Sequence, residues 1–503
     1  MESTDNKAGK SGIGWVFGLL AFYFVLQVIV RIAMPPTLGL DEAEQSFRSQ
    51  WLAAGYGPQP PFYNWLQYAI FSFSGVSVLA LAATKNTLLF ISYLLYGLTA
   101  RRLLRNDALV VMATLGLVTL PQVAFEMQRD LTHTVAVFFS GCLFLYGFIR
   151  ALHKGDTLAY LITGVGIGLG FLSKYNFALL PISALLAVLF DQQMRKRVFD
   201  WRIGLTALVT IAIATPHLFW LKDNLGFATA RTLEKLTDND HASYILQVLT
   251  GIGSLLLAVI GFCAVTVVVF AIVFRKPLLS AFSGSSEWTR LFGRMMLFSM
   301  LGILMLVFFG GASQVKDRWL VPLFFVMPLY LALKIEASKI DAGQALRRFM
   351  PIVAIIMIAV PSILFGRVAM ASLNGDYERL NTPFLRAAEA LRQKADPSAI
   401  VAEGSLLAGN LRKDLYPVTV VSLDYPGFKP DIAISKEHPL LIVWSMGTAG
   451  ESGLSAKATE WLKQRPDLAG AIPEISTIDV PYFYAHKGET YRFGYALIAP
   501  PAP

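Results

Sequence analysis

The residues of this chain that can do chemistry are charged side chains standing where long apolar runs end. Asp41 and Glu42 sit side by side in LGLDEAE (38–44), directly after the first such run. Adjacent carboxylates in that place suit a general base or a group that orients a hydroxyl acceptor. They equally suit the acidic first turn of a helix, where the dipole favours negative charge. FEMQRDLTH (125–133) packs Glu126, Arg129 and Asp130 into a junction that a bare turn would satisfy. Arg129 and Asp130 are placed either to pair with each other or to serve a cavity, because charges at span ends are costly. LSKYN (172–176) puts Lys174 in another tight turn, and QVKDRW (314–319) adds Lys316 and Arg318. With Arg129, these cations would make an anion site at a membrane surface, and a lipid-linked phosphate would supply the counter-anion. Snorkelling to head groups is the alternative for Lys174. His217 closes an apolar run ahead of a polar stretch, 221–245, long enough to form a lid. The six histidines are scattered with no close pair, so no metal signature stands out. Asp41, Glu42 and Glu44 would hold a divalent cation only with ligands from elsewhere.

These side chains must be positioned by membrane-spanning helices. The 503 residues are 55% hydrophobic and only 15% charged, where a soluble protein of this size carries nearer a quarter charged residues. Mean hydropathy is +0.54. Runs of span length recur from residue 14 to 368 and then stop, which predicts about eleven helical spans. The expected spans are 14–34, 86–100, 108–124, 132–149, 157–173, 176–190, 204–220, 246–273, 295–312, 319–334 and 350–368. A further apolar stretch, 62–84, is left out on charge bias. With the N-terminus cytoplasmic and 62–84 omitted, Arg101, Arg102, Arg105, Arg150, Lys154, Arg195, Lys196, Arg197, Arg275, Lys276, Arg290, Arg294, Arg347 and Arg348 all fall inside. One more span would invert them. The first outer loop, 35–85, is therefore expected to hold two surface helices lying against the membrane. One is 42–55, with Phe47, Trp51 and Leu52 on one face, Asp41 as N-cap and Glu44 at the third helical position.

The net charge of +9 is explained by these cytoplasmic span ends, and no concentrated basic face suggests a nucleic-acid partner. Cys142 and Cys263 sit inside apolar runs and suggest neither metal nor disulfide. The polar start and the absence of a small-residue cleavage site predict a retained first span. After 369 the hydrophobic character falls. Residues 370–503 read as a small outer α/β domain, with strands at 400–404, 418–423 and 440–446, helices at 384–395 and 457–464, and a closing hairpin over 475–486 and 491–500. The glycine-rich run 447–453 lacks the Lys-Ser/Thr ending of a phosphate loop and reads as a turn.

Six motifs in order carry a family resemblance: DEAEQ (41–45), PQPPFYNWLQ (58–67), EMQRD (126–130), GLGFLSKYN (168–176), ATPHLFWLKDN (214–224) and KDRWLVPLF (316–324). The set resembles the GT-C type polyprenyl-phosphate-dependent glycosyltransferases. That group includes lipid A aminoarabinose transferases, protein O-mannosyltransferases and rhizobial lipopolysaccharide galacturonosyltransferases. The resemblance implies that Asp41, with Glu42, activates or orients the acceptor, and that Tyr63 and Gln59 lie near the sugar. It implies that Lys174, Lys316, Arg318 and Arg129 serve the donor phosphate, with Asp130, Glu126 and His217 on the sugar or acceptor side. The family often carries Lys-Pro-Pro or His-Pro-Pro where this chain has Gln59–Pro60–Pro61. The implied reaction moves a sugar from an undecaprenyl-phosphate-type lipid to lipid A, lipopolysaccharide or another envelope acceptor, a glycolipid or a protein. It would run outside the cytoplasmic membrane, with inversion. The rival reading, a transporter or flippase of an anionic or lipid-linked substrate, predicts mid-span charges and inverted repeats, which the sequence does not display.

Overall fold

Apolar composition and helix length decide most of the architecture. In the computed structural model, residues 13–236, 243–425, 427–447, 453–468 and 471–500 are described. Among them, seven helices are long and apolar enough to cross a bilayer: Gly14–Ala33, Val78–Leu103, Thr132–Lys154, Ile203–Thr229, Tyr244–Phe274, Glu287–Phe309 and Gly343–Ala369. An eighth crossing arises if Asp107–Thr119 and Gln122–Arg129, bent by 65°, are one broken span. Seven or eight falls short of the expected eleven for a physical reason. Pro121 removes a backbone donor and breaks one run, while Thr157–Phe171 and Tyr175–Leu189 are shorter than the roughly 20 residues a straight crossing needs. The stretch 62–84 is not one element. Phe62–Ser74 is a 13-residue helix, the chain turns at Gly75 with φ +70°, and a 26-residue helix begins at Val78 rather than at 86.

The chain divides into two compact units, one of Met1–Leu26, Ala53–Tyr63 and Lys85–Val360, the other of Gln27–Leu52, Asn64–Thr84 and Pro361–Pro503. In the first, buried aromatic rings fill the core. Tyr96 donates its hydroxyl to the Phe325 carbonyl (3.2 Å) and accepts from the Leu329 amide (3.1 Å), and Phe138 meets Phe325 edge-on at 5.8 Å. Helices Thr132–Lys154 and Thr157–Phe171 approach backbone to backbone. A Cβ on Gly166 would lie 2.5 Å from the Phe144 nitrogen, and one on Gly147 would lie 2.6 Å from the Thr163 nitrogen. Small residues at facing positions permit this contact where no hydrophobic drive exists between spans.

The second unit is built on a five-stranded sheet, order β2-β1-β3-β5-β4. Strands β1 (Ala399–Ala402), β2 (Thr419–Ser422) and β3 (Leu440–Gly447) run parallel, and β4 (Glu474–Pro481) and β5 (Thr490–Ile498) close the sheet as an antiparallel pair beside β3. The three apolar runs and the closing hairpin read from the sequence are these strands. Helix Ser405–Asp414 was not foreseen; its Gly409 and Asn410 disguise it as a loop. The run 447–453 lies mostly outside the described residues.

One expectation is overturned here. The amphipathic segment after Asp41 does not present its apolar face to a bilayer. Phe47 is 1% exposed within the core of the sheet domain, and Trp51 stacks on Phe428 at 4.2 Å. Ser46 donates to the Gly409 carbonyl (2.7 Å), and Asn410 accepts from the Leu38 amide (2.8 Å). A Cβ on Gly409 would fall 2.0 Å from the Ala43 carbonyl oxygen, so only glycine admits this helix contact. An apolar stripe predicts that something covers it, not what does. The cap is also shifted. The helix is Leu40–Arg48 with Gly39 as N-cap, Glu42 rather than Glu44 accepts the Gly39 amide (3.1 Å), and Asp41 lies inside the first turn.

Candidate functional site

In the first unit, five segments distant in sequence are tied together at one end by hydrogen bonds. The segment Ala53–Tyr63 is held from both sides. Its Ala54 carbonyl accepts from His217 Nδ1 (2.8 Å), and its Phe62 amide donates to the Leu172 carbonyl (2.9 Å). Gly55 lies under the Trp220 ring so closely that a Cβ would be 2.2 Å from two ring carbons. The turn after Leu172 places Lys174, whose Nζ donates to Thr134 Oγ1 (2.6 Å). Asn176 Nδ2 then donates to the Trp319 carbonyl (2.8 Å), which fastens that turn to the stretch carrying Lys316 and Arg318. Asp317 caps this stretch: Oδ1 accepts from the Arg318 amide (2.7 Å) and Oδ2 from Gln122 Nε2 (2.7 Å). Gln122 opens the bent segment that ends in Glu126, Arg129 and Asp130.

The bend itself keeps those charges at the end of the span. A π-helical turn over Gln122–Glu126 passes into Met127–Arg129. Leu131 then reverses the chain at φ 66°, a left-handed conformation costly for a branched side chain. Arg129 pairs with Glu126, one turn back (2.6 Å); the pairing of Arg129 with Asp130 read as possible from sequence adjacency is not this contact. Sequence reasoning missed Lys85. It is 2% exposed, and its Nζ donates to the Gln128 carbonyl (2.8 Å), beside Gln128 Nε2 donating to Asn86 Oδ1 (2.9 Å). The signal was present: a single lysine inside an apolar helical run marks a site by default. Placing the start of the span at 86 hid it.

The structure thus brings Gln59, Tyr63, Glu126, Arg129, Asp130, Lys174, Lys316 and Arg318 onto linked segments of one unit. Lys316 and Arg318 are half-buried, where cations bind anions more strongly than in open water. Beside them a groove of about 570 Å³ runs along helix Tyr244–Phe274, lined by Ser254, Leu257, Ala258, Val315 and Asp317. His217 is fully buried. Its Nδ1 faces a carbonyl, which can only accept, so Nδ1 carries a proton, and Nε2 meets the Tyr175 hydroxyl at 3.0 Å. Both ring nitrogens are occupied, and the ring stacks on Tyr175 and Trp220, so His217 is a positioning residue for the 53–63 segment. The polar stretch after it is not an open loop. The helix runs on to Leu236 with a kink at Asn224, and 237–242 lie outside the described residues.

Asp41 and Glu42 belong to the second unit. Glu42 is buried, and Arg31 grips it in a fork, Nη2 to Oε2 at 2.8 Å and Nε to Oε1 at 3.2 Å. The same guanidinium donates to the Pro35 and Thr37 carbonyls (3.2 and 2.8 Å). With the Gly39 amide also bound, Glu42 is saturated by the chain's own donors, whereas Asp41 is half-buried on the next face of the helix. Among the described residues, no group of three or more His, Cys, Asp or Glu is placed to hold a metal ion.

The pattern of the family described as Dolichyl-phosphate-mannose-protein mannosyltransferase matches residues 58–220, which contain the bent segment, the Lys174 turn, the His217 span end and part of the 53–63 segment. Over 496 residues the chain is 60% identical to the lipopolysaccharide core galacturonosyltransferase RgtB of Rhizobium johnstonii, covering 99% of this chain and 100% of that protein. It is 42% identical over 483 residues to RgtA, a lipopolysaccharide core galacturonosyltransferase of the same organism, covering 96% and 97%. Among solved structures, ArnT from Cupriavidus metallidurans bound to undecaprenyl phosphate superposes with a TM-score of 0.60 at 15% identity, over 96% of this chain and 98% of that one. The likeness to ArnT concerns the fold; the identity to RgtB and RgtA is far above what a shared fold alone requires. The chain is a polytopic α-helical membrane protein with a C-terminal sheet domain, and it belongs to the rhizobial lipopolysaccharide galacturonosyltransferase family of GT-C type glycosyltransferases.

Proposed function

We propose that the protein transfers a galacturonosyl residue from an undecaprenyl-phosphate-type carrier to the lipopolysaccharide core. The reaction takes place at the periplasmic face of a bacterial inner membrane. The observation that carries this reading is the 60% identity to RgtB across the full length of both chains. The linked cations Lys174, Lys316, Arg318 and Arg129 support it as the donor-phosphate site. The groove ending at Asp317 supports it as a path for the proximal isoprene units.

In the reaction the acceptor hydroxyl oxygen attacks the anomeric carbon. The bond from that carbon to the phosphate oxygen breaks, and the polyprenyl phosphate leaves with the electron pair. Asp41 takes the hydroxyl proton, and the cations stabilise the charge growing on the phosphate. A single displacement inverts the anomeric centre, since no covalent sugar intermediate is formed. Glu42 holds the Asp41 turn through Arg31. Gln59, Tyr63, Glu126 and Asp130 serve the sugar and acceptor, and His217 acts on them through the segment it grips. Transfer in excess chelator tests whether a divalent cation takes part beside Asp41: loss of transfer that added metal restores would put one in the site.

We count eleven crossings: the seven long helices, the bent pair, the two shorter apolar helices, and the run Val321–Phe324 with Met327–Ala337. With the N-terminus cytoplasmic, an odd count leaves residues 370–503 periplasmic, and the basic clusters fall inside. The test is reconstitution of the full chain in liposomes with a polyprenyl-phosphate galacturonate donor and a lipopolysaccharide core acceptor. Gain of one uronic-acid mass on the core is expected, with loss of that gain for Asp41→Asn in folded protein. Near-normal turnover of Asp41→Asn would remove it as the base.

A further inference from the structure

A second cation cluster surrounds a cavity at the other end of the first unit. The cavity, of about 220 Å³, is lined by Ser285, Thr289, Arg290, Arg294, Leu297 and Lys334, with no carboxylate in its wall. It lies near the start of helix Glu287–Phe309, whose far end leads to the Lys316 and Arg318 stretch roughly 30 Å away at 1.5 Å per residue. The two sites are therefore separate.

The three cations are held, not loosely splayed. Lys334 Nζ donates to the Phe282 and Gly284 carbonyls (3.1 and 2.9 Å), which leaves its third hydrogen for a ligand. The Arg294 guanidinium lies over the Phe190 ring, 5.6 Å from its centroid. Arg290 and Arg294 stand four residues apart on one face, where like charges repel. Among the described residues, none of the three is in an ion pair with the protein. An anion within the cavity would relieve that repulsion and meet a guanidinium fork, the donor geometry that fits phosphate. The surroundings specify what the anion is attached to. Leu297 borders the cavity, and exposed Leu301 and Met305 continue from it along the same helix face at intervals of four residues, with exposed Phe190 alongside.

We infer that this cavity binds the phosphate of an anionic phospholipid, whose acyl chain lies along Leu297, Leu301 and Met305. The membrane would thereby anchor the helix that carries the catalytic Lys316–Arg318 stretch at its other end. The two sources of a phosphate ester, a lipid and a soluble metabolite, differ only in the apolar stripe, and the test separates them.

Full-length protein in uncharged detergent is titrated with dioleoyl phosphatidylglycerol and read by native mass spectrometry. Dioleoyl phosphatidylcholine and inorganic phosphate serve as the comparison probes. The wild type is expected to retain phosphatidylglycerol over phosphatidylcholine, and Arg290→Gln/Arg294→Gln to bind it about ten-fold more weakly. Arg347→Gln/Arg348→Gln, a basic pair elsewhere, should leave binding unchanged. Equal binding by the cavity variant, or an equal loss in the Arg347/Arg348 variant, would overturn the site. Displacement of bound lipid by millimolar inorganic phosphate, with no preference for the lipid, would overturn the lipid assignment. Should the double variant not fold, Leu297→Asp, on an exposed position, is expected to lower lipid retention while leaving the cations in place. Undiminished retention in that variant would likewise count against the proposal.

Discussion

Replacing Glu42 with Gln separates a structural carboxylate from a catalytic one. In the native protein the Glu42 and Arg31 side chains are 5% and 10% exposed and joined at 2.8 Å. Glu42→Gln keeps the shape and one acceptor oxygen but removes the counter-charge. The guanidinium would keep only the Pro35 and Thr37 carbonyls as full partners. Breaking one side of a buried pair costs about 3–5 kcal/mol, and because Gln retains an acceptor the lower end applies here. At roughly 2–4 °C per kcal/mol for a unit of this size, the unfolding midpoint should fall by roughly 6–12 °C. Arg31→Met/Glu42→Leu, which removes both charges, should recover most of that, less the loss of the Gly39 cap, about 1 kcal/mol. The assay is the thermal midpoint in detergent by intrinsic fluorescence, run beside transfer activity below the midpoint. Glu42→Gln should keep a substantial fraction of the transfer rate at low temperature, where the unit remains folded. An unchanged midpoint with abolished transfer would refute the argument and place the Glu42 carboxylate in the chemistry itself.

Three further outcomes follow from the geometry. Gly55→Ala should lower transfer by ten-fold or more with expression intact, because its Cβ would collide with the Trp220 ring at 2.2 Å. The strain is about 1–3 kcal/mol, and a second substitution, Trp220→Leu, should restore part of the rate. Lys174→Met should cut the single-turnover rate by about 10²–10³, with Lys174→Arg retaining more activity. Equal activity for Lys174→Met and wild type would exclude Lys174 from the phosphate site. Burial raises the Asp414 carboxyl above its ordinary range, against the opposing pull of Lys413. A carboxyl raised in the folded state is protonated more readily there than in the unfolded chain. Its stabilisation is therefore fully present below the unfolded value of about 3.9 and lost as pH rises through the folded one. Asp414→Asn should flatten the pH dependence of the midpoint just above that value, while the Lys413 ammonium left without its buried partner lowers the midpoint at neutral pH.

Much of the candidate site was legible before any coordinates, and the reason is local. Lys174, Lys316, Arg318, Arg129 and Glu126 announce themselves because a charge at the end of an apolar run is expensive wherever the chain goes. The strands β1, β2 and β3 are equally plain, being short apolar runs bounded by polar ones. Lys85 escaped because hydropathy does not locate a helix start to within several residues, and the true start at Val78 turns a loop lysine into a buried one. Helix Ser405–Asp414 escaped because its glycine and asparagine serve a contact rather than a turn. Gly409 lets the Ala43 backbone approach, and Asn410 bonds Leu38.

Taken alone, the sequence determined that this chain lives in a membrane, that its soluble part is a sheet domain, and that its cations gather at span ends. Hydropathy, periodicity and the cost of a charge in hydrocarbon act over a few neighbouring residues, and those are all a sequence displays directly. Tertiary structure alone decided which partner each group meets. The Asp41–Glu42 pair reads as one acidic motif, yet Glu42 is buried against Arg31 while Asp41 is half-buried on the next face of the helix. The stripe of Phe47 and Trp51 reads as membrane-facing, yet residues more than 330 positions later cover it. Burial and ion pairing depend on contacts between distant segments, and the pattern of one segment does not say which other segment will complete it.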